Sequence, residues 1–232
     1  MTTTQVHLLR HGEVHNPAGI LYGHRSGFQL SELGRQMAQR IADTLADRDV
    51  VHVVASPLER AQQTAQPVAA ALRLPLHTDD RVIESTNKFE GKTFGAGQAV
   101  LKSPSSWVHL WNPWRPSWGE PYKQVVSRMV EAVNDARRAA DGHEAVIVSH
   151  QLPIWMTRLY AENRSFVHDP RKRQCTLCSL TSLTFEGDRL RTITYSEPAA
   201  DLIPIRDRNA VFSAGGATDQ GTAGPQPGGT GR

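Results

Sequence analysis

Two hydrophobic periods alternate along this chain, and that alternation restricts its fold more than any other feature. Apolar, largely β-branched runs too short for helices occur at residues 6–9, 50–55, 74–78 and 144–149. Between them lie segments with apolar residues three and four apart. Ser31 caps a helix with Leu33, Met37, Ile41 and Leu45 on one face and Ala38 and Ala42 alongside. A second carries Ala61, Ala65, Val68 and Leu72 inward. Pro121 opens a third, with Val125, Met129, Val130 and Val133 on one face, and a fourth runs from about Leu152 to Tyr160. Two alternating strands flank the Glu186-Gly187-Asp188 turn. The pattern predicts a three-layer α/β/α sandwich with a mostly parallel sheet and an antiparallel edge hairpin. The 232 residues suffice for one large domain.

Three of the predicted strands run into basic residues. The first ends at Arg10-His11-Gly12-Glu13, the second at Ser56-Pro57-Leu58-Glu59-Arg60, and the last at Ser149-His150. Ligands of open α/β sheets collect at the carboxyl ends of strands, so Arg10, His11, Arg60 and His150 are expected to converge on one anion. In the second junction Ser56 reads as N-cap, Pro57 as the first helical residue and Glu59 as the reciprocal half of a capping box. Arg60 then projects from a first helical turn, whose free N–H groups favour anions.

In this order and spacing the motifs resemble the histidine phosphatase superfamily, also called phosphoglycerate-mutase-like. The match takes in Leu9-Arg10-His11-Gly12-Glu13, Ser56-Pro57-Leu58-Glu59-Arg60-Ala61 with Thr64-Ala65, Glu84, Gly119-Glu120 and Val148-Ser149-His150, and spans residues 5 to about 200. The resemblance implies that His11 attacks phosphorus to form a phosphohistidine. Arg10, Arg60 and His150 surround the non-bridging oxygens, and Glu84 protonates the leaving alkoxide and then activates water. No metal or other cofactor is implied, since the arginines and imidazole supply the positive charge. Asn16 stands in an Asn-Pro that reads also as turn chemistry; the resemblance adds a hydrogen bond to the phosphoryl group. Most relatives follow the second histidine with glycine. Here Gln151 occupies that place, and its backbone amide can serve only if its conformation is an ordinary one.

The implied organisation is a histidine phosphatase domain over residues 1–208 and a disordered tail over 209–232. Within the domain, an insert at about 85–120 is read as a lid over the crevice. It holds Trp107, Trp111, Trp114 and Trp118 but only the scattered bases Lys88, Lys92, Lys102 and Arg115. Phosphoglycerate mutases tend to carry more, so the expected activity is a metal-independent phosphatase for a small phosphorylated metabolite. A mutase-type phosphotransferase and a non-catalytic phospholigand-binding protein are the alternatives. A net charge of +3 argues for neither a nucleic-acid nor a membrane partner. No run approaches the roughly 20 apolar residues of a membrane span, and residues 1–5 do not resemble a signal peptide, so a cytoplasmic protein is expected.

Cys175 and Cys178 are the only cysteines. They fall in residues 174–185, which read as a strand on which residues three apart face opposite sides. His7, His15, His24, His52, His77, His109, His143 and His168 read as structural or solvated, with His15 and His24 the candidates for exception. The run Arg171-Lys172-Arg173 reads as a solvated loop, with recognition of an anionic substrate as the other possibility.

Overall fold

A computed structural model describes residues 2–86, 90, 119–169, 172–203 and 216–217. Six strands form the central sheet: β1 (Thr3–Arg10), β3 (Val50–Ala55), β4 (Leu76–Thr78), β5 (Glu144–Ser149), β6 (Leu180–Glu186) and β7 (Arg189–Ser196). Their order is β4-β3-β5-β1-β6-β7. The first four of that order pair in parallel, whereas β6 runs antiparallel to both β1 and β7. The expected mostly parallel sheet with an antiparallel edge is thus present.

Helices cover both faces, which explains why the central strands read as continuous apolar runs. Leu9, Val53, Ala55, Val146 and Val148 pack against α1 (Glu32–Leu45) and α2 (Glu59–Leu72). Val6, Leu8, Val54, Ala145 and Ile147 face the opposite way, onto α3 (Tyr122–Ala139) and α4 (Gln151–Ala161). Successive strand residues feed alternate cores, as a two-residue period requires. Ser31 caps α1 as expected, accepting from the Gly34 amide at 2.9 Å.

Several local expectations are corrected. Helix α2 begins at Glu59 with Leu58 at the N-cap and no side-chain cap. Ser56 lies two residues too early to cap it, and its hydroxyl turns toward His150; the Glu59 carboxylate accepts instead from the Gly27 amide at 2.6 Å. Residues 174–179 are not strand: β6 starts only at Leu180, and Cys178 has a left-handed φ of 53°. That turn is held by contacts to β1 which local sequence does not encode. From the tail, Gly216–Ala217 (β8) pairs in parallel with Val14–His15 (β2), where no structure was expected. A backbone ladder needs no apolar side chain, so composition did not signal it.

The four tryptophans of the insert, and its reading as a lid, lie outside the described residues. Among the described residues no helix is long and apolar enough to cross a membrane.

Candidate active site

The register of the sheet brings the basic residues together. Arg10 pairs with Ser149 and Ala55 with Val148, so β1, β5 and β3 end level with one another. The chain leaves these ends at His11, His150 and Ser56. The rings of His11 and His150 lie 5.2 Å apart between centroids. Arg10, His11, Arg60 and His150 are each no more than 3% exposed.

His11 is held in one orientation. Its Nδ1 donates to the Gly12 carbonyl at 2.8 Å, leaving Nε2 as the ring's lone pair. Burial first, then the charges of Arg60 and Arg10, hold its pKa well below the usual imidazole value, outweighing the Gly12 carbonyl. The ring is therefore neutral at pH 7. The turn beneath it is tightly braced: the Gly12 amide donates to Thr64 Oγ1 at 3.0 Å, and that hydroxyl donates to the Arg60 carbonyl at 2.7 Å. A Cβ on Gly12 would lie 2.7 Å from the Gly34 carbonyl oxygen of α1, so no larger residue fits.

The two arginines are aimed by backbone carbonyls. Arg10 donates from Nη1 to Cys175 O at 2.6 Å, while its own amide bonds to Ser179 O at 3.1 Å. The Cys-x-x-Cys turn is thus a bracket for Arg10. Both thiols are free, and burial pushes them up to about 11 for Cys175 and about 12 for Cys178, so neither is a thiolate at neutral pH. Arg60 donates from Nη2 to Gly23 O at 2.8 Å and lies 4.6 Å from the centre of the Tyr22 ring. Its Nε, although buried, has no partner among the described residues. His150 is similar: Nε2 meets Ser56 Oγ at 2.8 Å, while Nδ1 is buried and unpartnered among the described residues. Burial, then Arg60, His11, His24 and Arg10, keep this ring neutral as well.

Glu84 stands at the edge of this cluster, half-buried, with Oε1 accepting from the Ser85 amide at 2.9 Å. Its charge acts on Arg60 and on Tyr22. Arg128 of α3 fixes the segment around it. This guanidinium donates to the Arg81 and Ile83 carbonyls at 2.6 and 2.7 Å, and both of its contacts to the Glu120 carboxylate are 2.9 Å. Ser149 Oγ adds a bond to Val82 O at 2.7 Å, and His24 Nε2 donates to the Glu84 carbonyl.

Asn16 is buried, and its amide closes a local turn. Nδ2 donates to Ile20 O at 2.8 Å and Oδ1 accepts from the Ile20 amide at 3.0 Å. The turn chemistry noted in the sequence is therefore its visible role. Gln151 is the first residue of α4 and is not among the residues with positive φ, so the loss of glycine introduces no strain. His24 joins the cluster, whereas His15 is exposed on β2.

Tyr22, Arg128 and the contact of Ser56 with His150 were missed in the sequence. Tyr22 is 6% exposed, and its phenol makes no hydrogen bond among the described residues. Arg173 donates to His168 Nε2 at 2.8 Å and feels the charges of Glu84 and Arg10, so this one arginine of the basic run reaches the site electrostatically. The contacts of Ser56 and Arg128 are made across the fold, where local sequence gives no signal.

The model of the histidine phosphatase superfamily (branch 1) matches residues 6–198. An uncharacterized protein of Mycobacterium tuberculosis strain H37Rv, Rv0525, is 55% identical over 197 residues, covering 85% of this chain and 98% of that protein. The probable phosphoglycerate mutase GpmB of Yersinia pestis (strain Pestoides F) is 28% identical over 156 residues, 65% of this chain and 71% of GpmB. Among solved structures, Bacillus stearothermophilus YhfR superposes with a TM-score of 0.68 at 26% identity, covering 81% of this chain and 94% of YhfR.

Proposed function

Because this chain belongs to the histidine phosphatase superfamily, we propose that it hydrolyses a small phosphomonoester through a phosphohistidine on His11. The observation that carries this reading is the state of His11. It is a neutral buried imidazole, its Nδ1 tied to Gly12 O and its Nε2 lone pair left over, set among two guanidinium groups and a second imidazole. Binding a phosphate anion would be served by a charged or donating ring. A lone pair in that place serves attack.

In the proposed reaction the Nε2 lone pair of His11 attacks phosphorus and the P–O bond to the alcohol breaks. Glu84, as general acid, gives a proton to the departing oxygen and is left as the carboxylate. Arg10, Arg60 and His150 stabilise the charge on the non-bridging oxygens as the group moves. The Glu84 carboxylate next takes a proton from water, whose oxygen attacks phosphorus. The N–P bond then breaks, returning neutral His11 and releasing inorganic phosphate. Positive charge comes from side chains in this scheme, so a chelator should leave turnover unchanged. The mutase named among the relatives makes return of the phosphoryl group to an alcohol the competing outcome.

The test measures phosphate release from an alkyl and a nitrophenyl phosphate, with acid quench to trap phosphoenzyme. His11→Ala should abolish both release and trapping. Glu84→Gln should slow the burst on the alkyl ester by about 10²–10⁴-fold, the usual worth of general acid catalysis, and the nitrophenyl burst much less. Equal losses on the two esters would move the acid elsewhere. Isomerised product without free phosphate would favour the mutase.

A further inference from the structure

We infer that Ser56 sets the tautomer of His150, donating its hydroxyl proton to Nε2 so that the ring carries its own proton on Nδ1 and presents an N–H to the transferring phosphoryl group. The inference rests on the phosphatase reading for its catalytic consequence, but the tautomer itself follows from local hydrogen bonding.

Ser56 and His150 are both fully buried, and Oγ lies 2.8 Å from Nε2. A neutral imidazole has one N–H and one lone pair, so this contact decides what the other nitrogen offers. Ser56 Oγ accepts, at 3.4 Å, from the Leu58 amide, and among the described residues Nε2 is the only group placed to take its proton. If His150 were the donor, the Ser56 proton would be stranded in a buried site. Nδ1 would then turn a lone pair toward an arriving anion. With Ser56 as donor both faults vanish, and Nδ1, which has no partner among the described residues, becomes a hydrogen-bond donor.

The serine is well fixed for this task. Its amide donates to Val148 O at 2.9 Å, and its carbonyl accepts from Gln62 Nε2 at 2.7 Å, joining β5 to α2 across the residue. His150 begins α4 at the N-cap position without capping it through its side chain, so Nδ1 has no competing structural duty. Neither proton moves during turnover. Ser56 keeps its own, and the N–H of His150 only strengthens its bond as a non-bridging oxygen gains charge. Ser56 is therefore a positioning residue acting through His150. This also accounts for a hydroxyl two residues before the N-cap of α2, where it does no capping.

The direct test is nitrogen NMR on full-length protein labelled in its histidine rings, with the His150 signals identified by their loss in His150→Asn. Nδ1 should be the protonated nitrogen in the unaltered protein, and Ser56→Ala should shift the population toward Nε2–H. An unaltered protein with the proton on Nε2 overturns the inference. Kinetically, Ser56→Ala should lower kcat/KM by about 10-fold or more, less than the roughly 10²–10³-fold of deleting an oxyanion donor outright, and should weaken inhibition by inorganic phosphate. Asparagine at position 150 offers its amide N–H without tautomers. In that background Ser56→Ala should add little, whereas an equal loss in both backgrounds would make Ser56 a packing residue and sink the idea. If no ester is hydrolysed at all, the phosphatase reading fails while the ring protonation is still read by NMR.

Discussion

Replacing Gly34 by alanine sets helix propensity against packing, and the structure says which prevails. Gly34 lies in the first turn of α1, where alanine is ordinarily worth up to about 1 kcal/mol more than glycine. An added Cβ, however, would lie 2.0 Å from the Glu13 carbonyl oxygen, 2.9 Å from its carbon and 3.0 Å from its nitrogen. All three are backbone atoms, so no side chain can swing aside. Helix and turn must separate by about an ångström, a contact defect of the kind that costs typically 1–3 kcal/mol and sometimes more. The segment displaced is the one that follows Gly12, itself in close contact with Gly34. We expect a net loss of about 1–2 kcal/mol, a fall of roughly 2–8 °C in Tm for a chain of this size. Activity should suffer more, because a shift of about 1 Å at a nucleophile can cost about 10²-fold. Thermal unfolding and burst kinetics would be measured beside Gln39→Ala, an exposed change in the same helix. A rise in Tm for Gly34→Ala would refute the close approach of α1 to the Gly12–Glu13 turn.

Two further outcomes follow from the charged networks. Arg128→Met strips the partner from the Glu120 carboxylate and leaves the Arg81 and Ile83 carbonyls without their donor. With 16% and 19% of these side chains exposed, the loss should be about 2–3 kcal/mol, below the range for a fully buried pair, and alkyl-ester turnover should fall as Glu84 loosens. Unchanged Tm and turnover would remove Arg128 from the support of the site. At the far end of the sheet, burial pushes the Glu144 carboxyl up, but hydrogen bonds from His7 and Arg48 outweigh it and hold the group at about 2 against an ordinary 4.5. A depressed carboxyl contributes stability above its unfolded pKa and loses it as pH falls toward the folded one. Glu144→Gln should therefore lower Tm at neutral pH and by progressively less between pH 4.5 and 2; a constant difference across that window would count against the network.

The sheet, its helical layers and the convergence of Arg10, His11, Arg60 and His150 were legible in the sequence. Strands buried on both faces must be apolar throughout, amphipathic helices must repeat near 3.6 residues, and a charged residue just past each strand has only the carboxyl edge to occupy. These are consequences of local periodicity. What the periodicity could not carry was the partner of each polar atom. Ser56 was legible as a cap from its neighbours, yet its hydroxyl bonds a histidine 94 residues away. The Cys-x-x-Cys segment has the composition of a strand but folds as a turn because Arg10 and His11, more than 160 residues earlier, bond to its backbone. Arg128 sits on a helix surface in the sequence and in the fold reaches two other chain segments, at Arg81–Ile83 and at Glu120. Hydrophobic burial is non-directional and needs only the right residue type at the right spacing, so sequence alone determined the layers and the edge on which the site lies. Hydrogen bonds need one particular atom at about 3 Å, and only the tertiary structure decided which ring nitrogen of His11 and of His150 is held.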